Sequence, residues 1–174
     1  MEENQQTTGV FALNYGLISG GLAAAFAYIL YLLDLHYQGG ILVMLTSILL
    51  TLAVIILAMY QFKKANNNFI TFSQALKIGV GVALIGGIVG IAFNQLMTAV
   101  IDPEMMEKAM TFQKEQLLAT TTRTEEDIDA QLEMGKTFSS PSMQILFGLI
   151  FSLMLGFVLS IIPALAFKSP EIID

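Results

Sequence analysis

The stretch that decides the fold is residues 78–101, which reads IGVGVALIGGIVGIAFNQLMTAVI. It contains no charged side chain. As a helix it is long enough to cross the roughly 30 Å hydrocarbon core of a bilayer. Because backbone N–H and C=O groups in hydrocarbon must be satisfied within the segment, a helix is the structure that this stretch predicts.

Three further stretches are also free of charge, at residues 10–33, 41–62 and 142–167. Only 13% of the chain is charged and 55% is hydrophobic, whereas soluble proteins average about 25% charged residues. Too few residues remain to cover four buried helices in a soluble protein. We therefore predict an all-α integral membrane four-helix bundle, one membrane domain over residues 1–174, with the lipid bilayer as its surroundings. The first stretch is longer than a signal-peptide core and lacks a basic leader, so we expect it to be retained as a span.

The composition excludes several classes of function. The chain has no cysteine and a single histidine, His36, which lies near Asp34. One histidine with one carboxylate makes a poor metal site, and the spans contain no ionisable residue that would mark a proton relay or ion path. A basic patch for nucleic acid is also absent. We expect no catalytic residue, no metal and no cofactor, and therefore not an enzyme.

The loops predict the orientation. Residues 63–77 carry three lysines and no acid, so the positive-inside rule places them in the cytoplasm. Both termini then lie in the cytoplasm, and residues 102–141 form an extracytoplasmic acidic loop. Lys and Arg are equally numerous on the two sides, so the prediction depends on their density next to the spans. We expect the protein in a bacterial inner membrane.

Both longer loops contain helix-start signals. Thr71 and Gln74 have the capping-box spacing, which predicts a helix from Phe72. Outside, Asp102 precedes Pro103 as in a capped helix start, which predicts helices at about 103–118 and 124–136. Their narrow apolar faces are expected to rest on each other, on the membrane or on a partner. These faces are centred on Met106, Met110, Ile128 and Leu132.

Small residues recur at four-residue spacing in the first, third and fourth stretches. Such spacing lets helix backbones approach closely in a membrane. The helix-packing residues we predict are Gly16, Gly20, Gly86, Gly90, Gly148 and Gly156. The second stretch has no such pattern and is predicted to be peripheral. An oligomer interface or a sliding surface is the functional alternative, but packing within one chain is the simpler explanation.

Four amides form a candidate polar cluster, namely Asn14, Asn94, Gln95 and Gln144. A transporter would bring them to one cavity, whereas a scaffold would scatter them.

Two segments carry a family resemblance, FKKANNNFITFSQALKIG at 62–79 and TRTEEDIDAQLEMGKTFSSPS at 122–142. With the four-span layout, they resemble a family catalogued as a domain of unknown function, which comprises small membrane proteins found mainly in Bacteroidota. The resemblance covers about residues 14–167. Family members often have glycine where this chain has Asn68, a difference that leaves the turn intact. The resemblance implies a bacterial lineage and the four-span topology, and it implies no activity or site residue.

The leading hypothesis is a non-enzymatic accessory or scaffold protein that presents its outer helices to a membrane or periplasmic protein, or to a second copy of itself. The alternative is a small oligomeric transporter or channel. A membrane enzyme ranks third.

Overall fold

A computed structural model describes residues 7–138 and 140–169, and over this part of the chain it is helical without a strand. The helices are α1 (Thr8–Leu32), α2 (Ile41–Ala65), α3 (Phe72–Leu96), α4 (Met105–Thr120), α5 (Glu125–Phe138) and α6 (Pro141–Phe167). A π-helical turn, Met97–Ile101, extends α3. Four helices are long and apolar enough to cross a membrane, namely α1, α2, α3 with its extension, and α6. The all-α prediction with four such helices is confirmed.

The four long helices alternate in direction. Phe11 near the start of α1 packs edge-on against Phe62 near the end of α2, with ring centroids 5.3 Å apart. The amide of Ser169, just after α6, donates to the carbonyl of Ile70. These contacts gather one end of the bundle, which we call the lysine end after Lys63, Lys64 and Lys77. The opposite end carries the α1–α2 loop and the α4–α5 pair, and we call it the hairpin end.

The connection at the lysine end is ordered by local chemistry. Asn67 and Asn68 adopt positive φ angles of 51° and 60°, which asparagine tolerates. Thr71 and Gln74 form both bonds of a capping box, so the predicted start of α3 at Phe72 is confirmed. The ammonium group of Lys63 donates to the carbonyl of Phe167 at the end of α6, where a cation is favoured.

Helix α3 lies between α1 and α6 and packs on both through small residues. A Cβ atom built at Gly16 would lie 2.6 Å from Cβ of Ile85, and one at Gly156 would lie 2.6 Å from Cβ of Ala83. The same close approach occurs at the other predicted glycines but one: Gly20 faces Val89, Gly86 faces Ser19 and Gly148 faces Ile91. A side chain at these positions would push the helices apart.

Gly90 departs from the packing prediction. Apart from its chain neighbours and the backbone of its own helix, no atom of the described residues lies within 4 Å of a Cβ atom built at Gly90. Gly90 instead borders two cavities, because the neighbouring helices diverge at this height. Gly90 has the same four-residue spacing as the other glycines, but the helices around it lie farther apart than they do at those positions.

Helix α2 is peripheral over only half its length, which corrects the prediction for this element. Ile55, Ala58 and Met59 in its second half are fully buried, whereas Leu42 and Leu49 in its first half are 76% and 63% exposed. The second half contributes the large side chains of Ile55, Met59 and Phe62 to the core, which a pattern of small residues does not reveal. The core therefore lies at the lysine end, and α2 leaves space at the hairpin end.

We expect Gly16→Ala to destabilise the bundle by about 1–3 kcal/mol, because the new methyl group meets the rigid β-branched side chain of Ile85. Gly90→Ala is the matched control. It adds the same atom in open space and should leave stability unchanged or slightly raised through helix propensity. Thermal unfolding of detergent-purified variants measures both, and equal destabilisation by the two would contradict this packing scheme.

Candidate functional site

A buried ionic cluster joins three separate segments at the hairpin end. His36 Nε2 lies 2.7 Å from Oδ2 of Asp102, and Nζ of Lys108 lies 3.0 Å from each oxygen of the same carboxylate. The side chains of His36 and Asp102 are only 4% and 7% exposed, while that of Lys108 reaches solvent at 39%. The cluster attaches α4 and the α1–α2 loop to the end of α3.

Backbone geometry positions Asp102. The π-helical turn ends with the amide of Asp102 donating to the carbonyl of Met97, and the amide of Met105 donates to the carbonyl of Asp102 as α4 begins. The carboxylate therefore points back toward the α1–α2 loop. The prediction that Asp102 caps a helix starting at Pro103 is wrong, because α4 begins at Met105 with Glu104 in the cap position.

Aromatic rings hold His36 in place. The ring of Tyr31 meets the imidazole edge-on with centroids 5.1 Å apart, and that of Tyr37 does so at 5.3 Å. Tyr37 in turn packs edge-on against Phe112 of α4. These contacts are a second connection between the α1–α2 loop and α4.

The charges of the cluster follow from its contacts. The hydrogen bond from Lys108 holds the pKa of Asp102 below its ordinary value, with a smaller contribution from His36, although burial acts in the opposite direction. The same bond raises the pKa of Lys108. A carboxyl group with a lowered pKa stabilises the fold above its unfolded pKa of about 3.9. Asp102 is therefore ionised at neutral pH. The stabilisation that it contributes is lost only as the pH falls through its lowered pKa.

Since the Asp102 carboxylate can only accept, His36 must donate from Nε2. The other ring nitrogen, Nδ1, is buried and has no hydrogen-bond partner among the described residues. The sequence places His36 near Asp34, whereas its partner in the structure is Asp102. The sequence does indicate the other pairing of the cluster, because Asp102 directly follows an apolar span and Lys108 comes six residues later.

Three of the four predicted amides meet in the bundle. Asn94 and Gln95 both donate to Oε1 of Gln144, over 3.4 Å and 3.1 Å. All three line a cavity of about 330 Å³ that also touches α1 and α2. Asn14 does not join them, since it is exposed in the first half of α1. The amide cluster is thus a contact between α3 and α6 beside a cavity.

The helices between α3 and α6 form a hairpin of their own. Lys114 on α4 lies 2.9 Å from a carboxylate oxygen of Glu125 and 2.7 Å from one of Asp129 on α5. Ile128 is fully buried, whereas Met106, Met110 and Leu132 are partly buried. Helices α4 and α5 therefore contact each other, which is one of the three predicted resting places of their apolar faces.

Within residues 7–138 and 140–169, no three His, Cys, Asp or Glu side chains come together in a way that would hold a metal ion. The candidate site is the ionic cluster of His36, Asp102 and Lys108, and His36 also lines one of the two cavities that border Gly90.

Residues 14–169 match the family described as "Protein of unknown function (DUF4199)". No curated protein and no solved structure matches the chain.

Asp102→Asn should loosen α4, because an amide offers one acceptor oxygen and no charge to Lys108 and His36. We expect a loss of about 1–3 kcal/mol, seen as at least several-fold faster hydrogen exchange across Met105–Thr120 in the purified protein. Asp129→Asn is the control, since it removes an exposed partner of Lys114, and exposed pairs contribute about 0–1 kcal/mol. Unchanged exchange in Asp102→Asn would show that α4 is held by other contacts.

Proposed function

The chain belongs to the family of proteins of unknown function (DUF4199), and from this premise we propose that it is a multi-pass protein of the bacterial inner membrane. The four long apolar helices support the membrane location. The lysine end would face the cytoplasm, because residues 63–77 carry three lysines and no acid. The α4–α5 hairpin would then lie outside, and both termini inside.

We further propose that the protein is a non-enzymatic accessory or scaffold protein that presents the hairpin to a partner. The observation that carries this proposal is the cluster of His36, Asp102 and Lys108. A hairpin attached only by its two chain ends would swing freely, whereas this cluster and the contact between Tyr37 and Phe112 fix α4 on the bundle. Fixed orientation lowers the entropy cost of binding a partner.

The charge of the hairpin indicates the chemistry of the partner. Residues 102–141 contain nine acids and four basic residues, a surplus of five negative charges. Glu115, Glu126 and Glu133 are exposed. A partner would carry a complementary basic surface, either on a periplasmic protein or on the outer part of another membrane protein. Such complementarity increases association rates and specificity.

We also propose that the protein is not an enzyme. Asp102 is bonded to Lys108 through both oxygens and to His36 through one, so its carboxylate is engaged in attaching α4. A general base must take up a proton, and the lowered pKa of Asp102 makes its carboxylate a weak proton acceptor at neutral pH.

A small transporter is the second candidate, and the shared cavity of Asn94, Gln95 and Gln144 favours it. It ranks second for two reasons. Gln144 accepts from both other amides, so these groups serve helix packing, and Asn14 lies elsewhere. A transport route would also need a way through the lysine end, where the core is packed.

The orientation can be tested with single cysteines at Ala65 and Thr121, since the chain has none of its own. We expect an impermeant thiol reagent to label position 121 and not 65 on intact spheroplasts. Both should react after lysis, which controls for accessibility. Labelling at 65 but not 121 would reverse the orientation.

The scaffold role can be tested by reversing charge at Glu115, Glu126 and Glu133 together to lysine. Quantitative proteomics of crosslinked membranes should show one or more proteins whose recovery falls at least tenfold with the triple lysine variant. The triple glutamine variant should give an intermediate loss, and raising the salt concentration should weaken recovery with the wild-type chain, because exposed charges are screened.

Recovery of the same proteins in equal amount by all three chains would overturn the proposal that the acidic face binds a partner. Hydrogen exchange across Met105–Thr120 serves as the folding control, since these substitutions leave the cluster of Asp102 intact.

A further inference from the structure

The cavity beside Asn94, Gln95 and Gln144, which we call the amide cavity, extends from the hairpin end toward the middle of the bundle. Gln144 lies in the first turn of α6, and Leu155, which lines the other end, comes eleven residues later in the same helix. At 1.5 Å per residue these two positions are about 17 Å apart along the helix. Half of the hydrocarbon core of a bilayer is about 15 Å thick. The amide cavity therefore has the depth of one leaflet.

Apart from the amides, the walls of the amide cavity are mostly apolar, with Ala23 of α1, Ile91 of α3 and Phe151 of α6 among them. Of the hydroxyl groups that line it, those of Thr51 and Ser152 donate to carbonyl groups of their own helices. Cavities with apolar walls tend to stay dry. A hydrocarbon chain therefore matches these walls better than water does.

The amide cavity reaches the lipid-facing surface of the bundle. Phe151 is 60% exposed, and Ala23 is exposed as well. Of the described residues of α2, only Thr51 lines the cavity, so this helix leaves much of it uncovered. A chain from the surrounding lipid can therefore enter from the side without crossing a polar surface.

The amide groups at the hairpin end of the cavity have hydrogen-bond donors left over. A side-chain amide nitrogen carries two hydrogens, and the nitrogens of Asn94 and Gln95 each donate one of them to Oε1 of Gln144. The second hydrogen of each nitrogen has no acceptor among the described residues. Because Gln144 lies in the first turn of α6, these donors are at the boundary between the hydrocarbon core and the interfacial region. The ester carbonyl groups of phospholipids lie at this boundary.

We propose that the amide cavity binds one acyl chain of a phospholipid from the leaflet at the hairpin end, and that an ester carbonyl of this lipid accepts a hydrogen bond from Asn94 or Gln95. Pockets that combine apolar walls with a few placed polar groups are typical of ligand sites. The site holds for either orientation of the protein and does not involve the acidic face of the hairpin. It rests on the proposed membrane location, which incorporation into nanodiscs tests separately.

A phosphatidylcholine with a diazirine in the middle of one acyl chain tests the proposal on the full chain in nanodiscs. Phe151 in the cavity and Ile18 on the outer face of α1 are 60% and 49% exposed. Both adjoin serines that contact Gly86 or Gly87 of α3, so they lie at the same depth. We expect peptide mass spectrometry to find several-fold more adducts at Phe151 than at Ile18. Adducts in proportion to exposed area would indicate only surface lipid and overturn the proposal.

A matched pair of variants locates the bound chain. Gly90→Phe places a ring in the open space beside Gly90 and should abolish the excess of adducts at Phe151. Gly21→Phe is the control, because it adds the same ring in open space outside the cavity. Gly21 also lies at the same depth, since the preceding Gly20 packs against Val89. An excess that persists in Gly90→Phe, with thermal unfolding unchanged, would contradict the assignment to the amide cavity.

The role of the amides is tested on the unmodified protein by competition between two lipids with the same chains. Diester phosphatidylcholine carries the carbonyl acceptors, whereas diether phosphatidylcholine lacks them. One hydrogen bond corresponds to about a two- to tenfold difference in affinity. We expect the diester to displace the photoreactive lipid from Phe151 more effectively by this factor. Equal displacement would contradict the placement of the ester group at the amides, and displacement by neither lipid would overturn the site.

Discussion

The close approach of α3 to both α1 and α6 is the constraint on which the rest of the structure depends. Lipid tails are as apolar as leucine, so a membrane bundle gains little from hydrophobic burial and depends on van der Waals contact. Glycine at positions such as 16 and 156 lets Ile85 and Ala83 come within contact of the neighbouring backbone. Helix α3 supplies one face to each neighbour, and so it fixes the positions of α1 and α6 together.

Helix α2 packs against this three-helix arrangement over only half of its length. At the lysine end, α2 contributes Ile55 and Met59 to a closed core, and Lys63 bonds to the last turn of α6. Toward the hairpin end α2 diverges, which leaves cavities beside Gly90. One end of the bundle is therefore closed by packing, and the other end is closed by the polar cluster around Asp102.

Much of this arrangement could be predicted from the sequence because its signals are local. Uncharged stretches predicted four long helices, the spacing of Thr71 and Gln74 predicted a helix start, and four-residue spacing identified five glycines at close contacts. The pairing of His36 with Asp102 could not be predicted, since 66 residues separate them and each has a plausible local role. The space beside Gly90 could not be predicted either. Residue spacing shows which face of a helix a residue occupies, but it does not show how far away the next helix lies.

The energetic cost of the ionic cluster bears on function, because apolar contacts could attach α4 without burying a charge. Burying a carboxylate costs several kcal/mol, and such groups are often no more stabilising than apolar replacements of the same shape. Apolar contacts could have attached α4 to the bundle, but they fix orientation less strictly than two hydrogen bonds from Lys108 and one from His36. The cluster therefore has a role if the hairpin end must hold one orientation, as the proposed presentation of α4 and α5 to a partner requires.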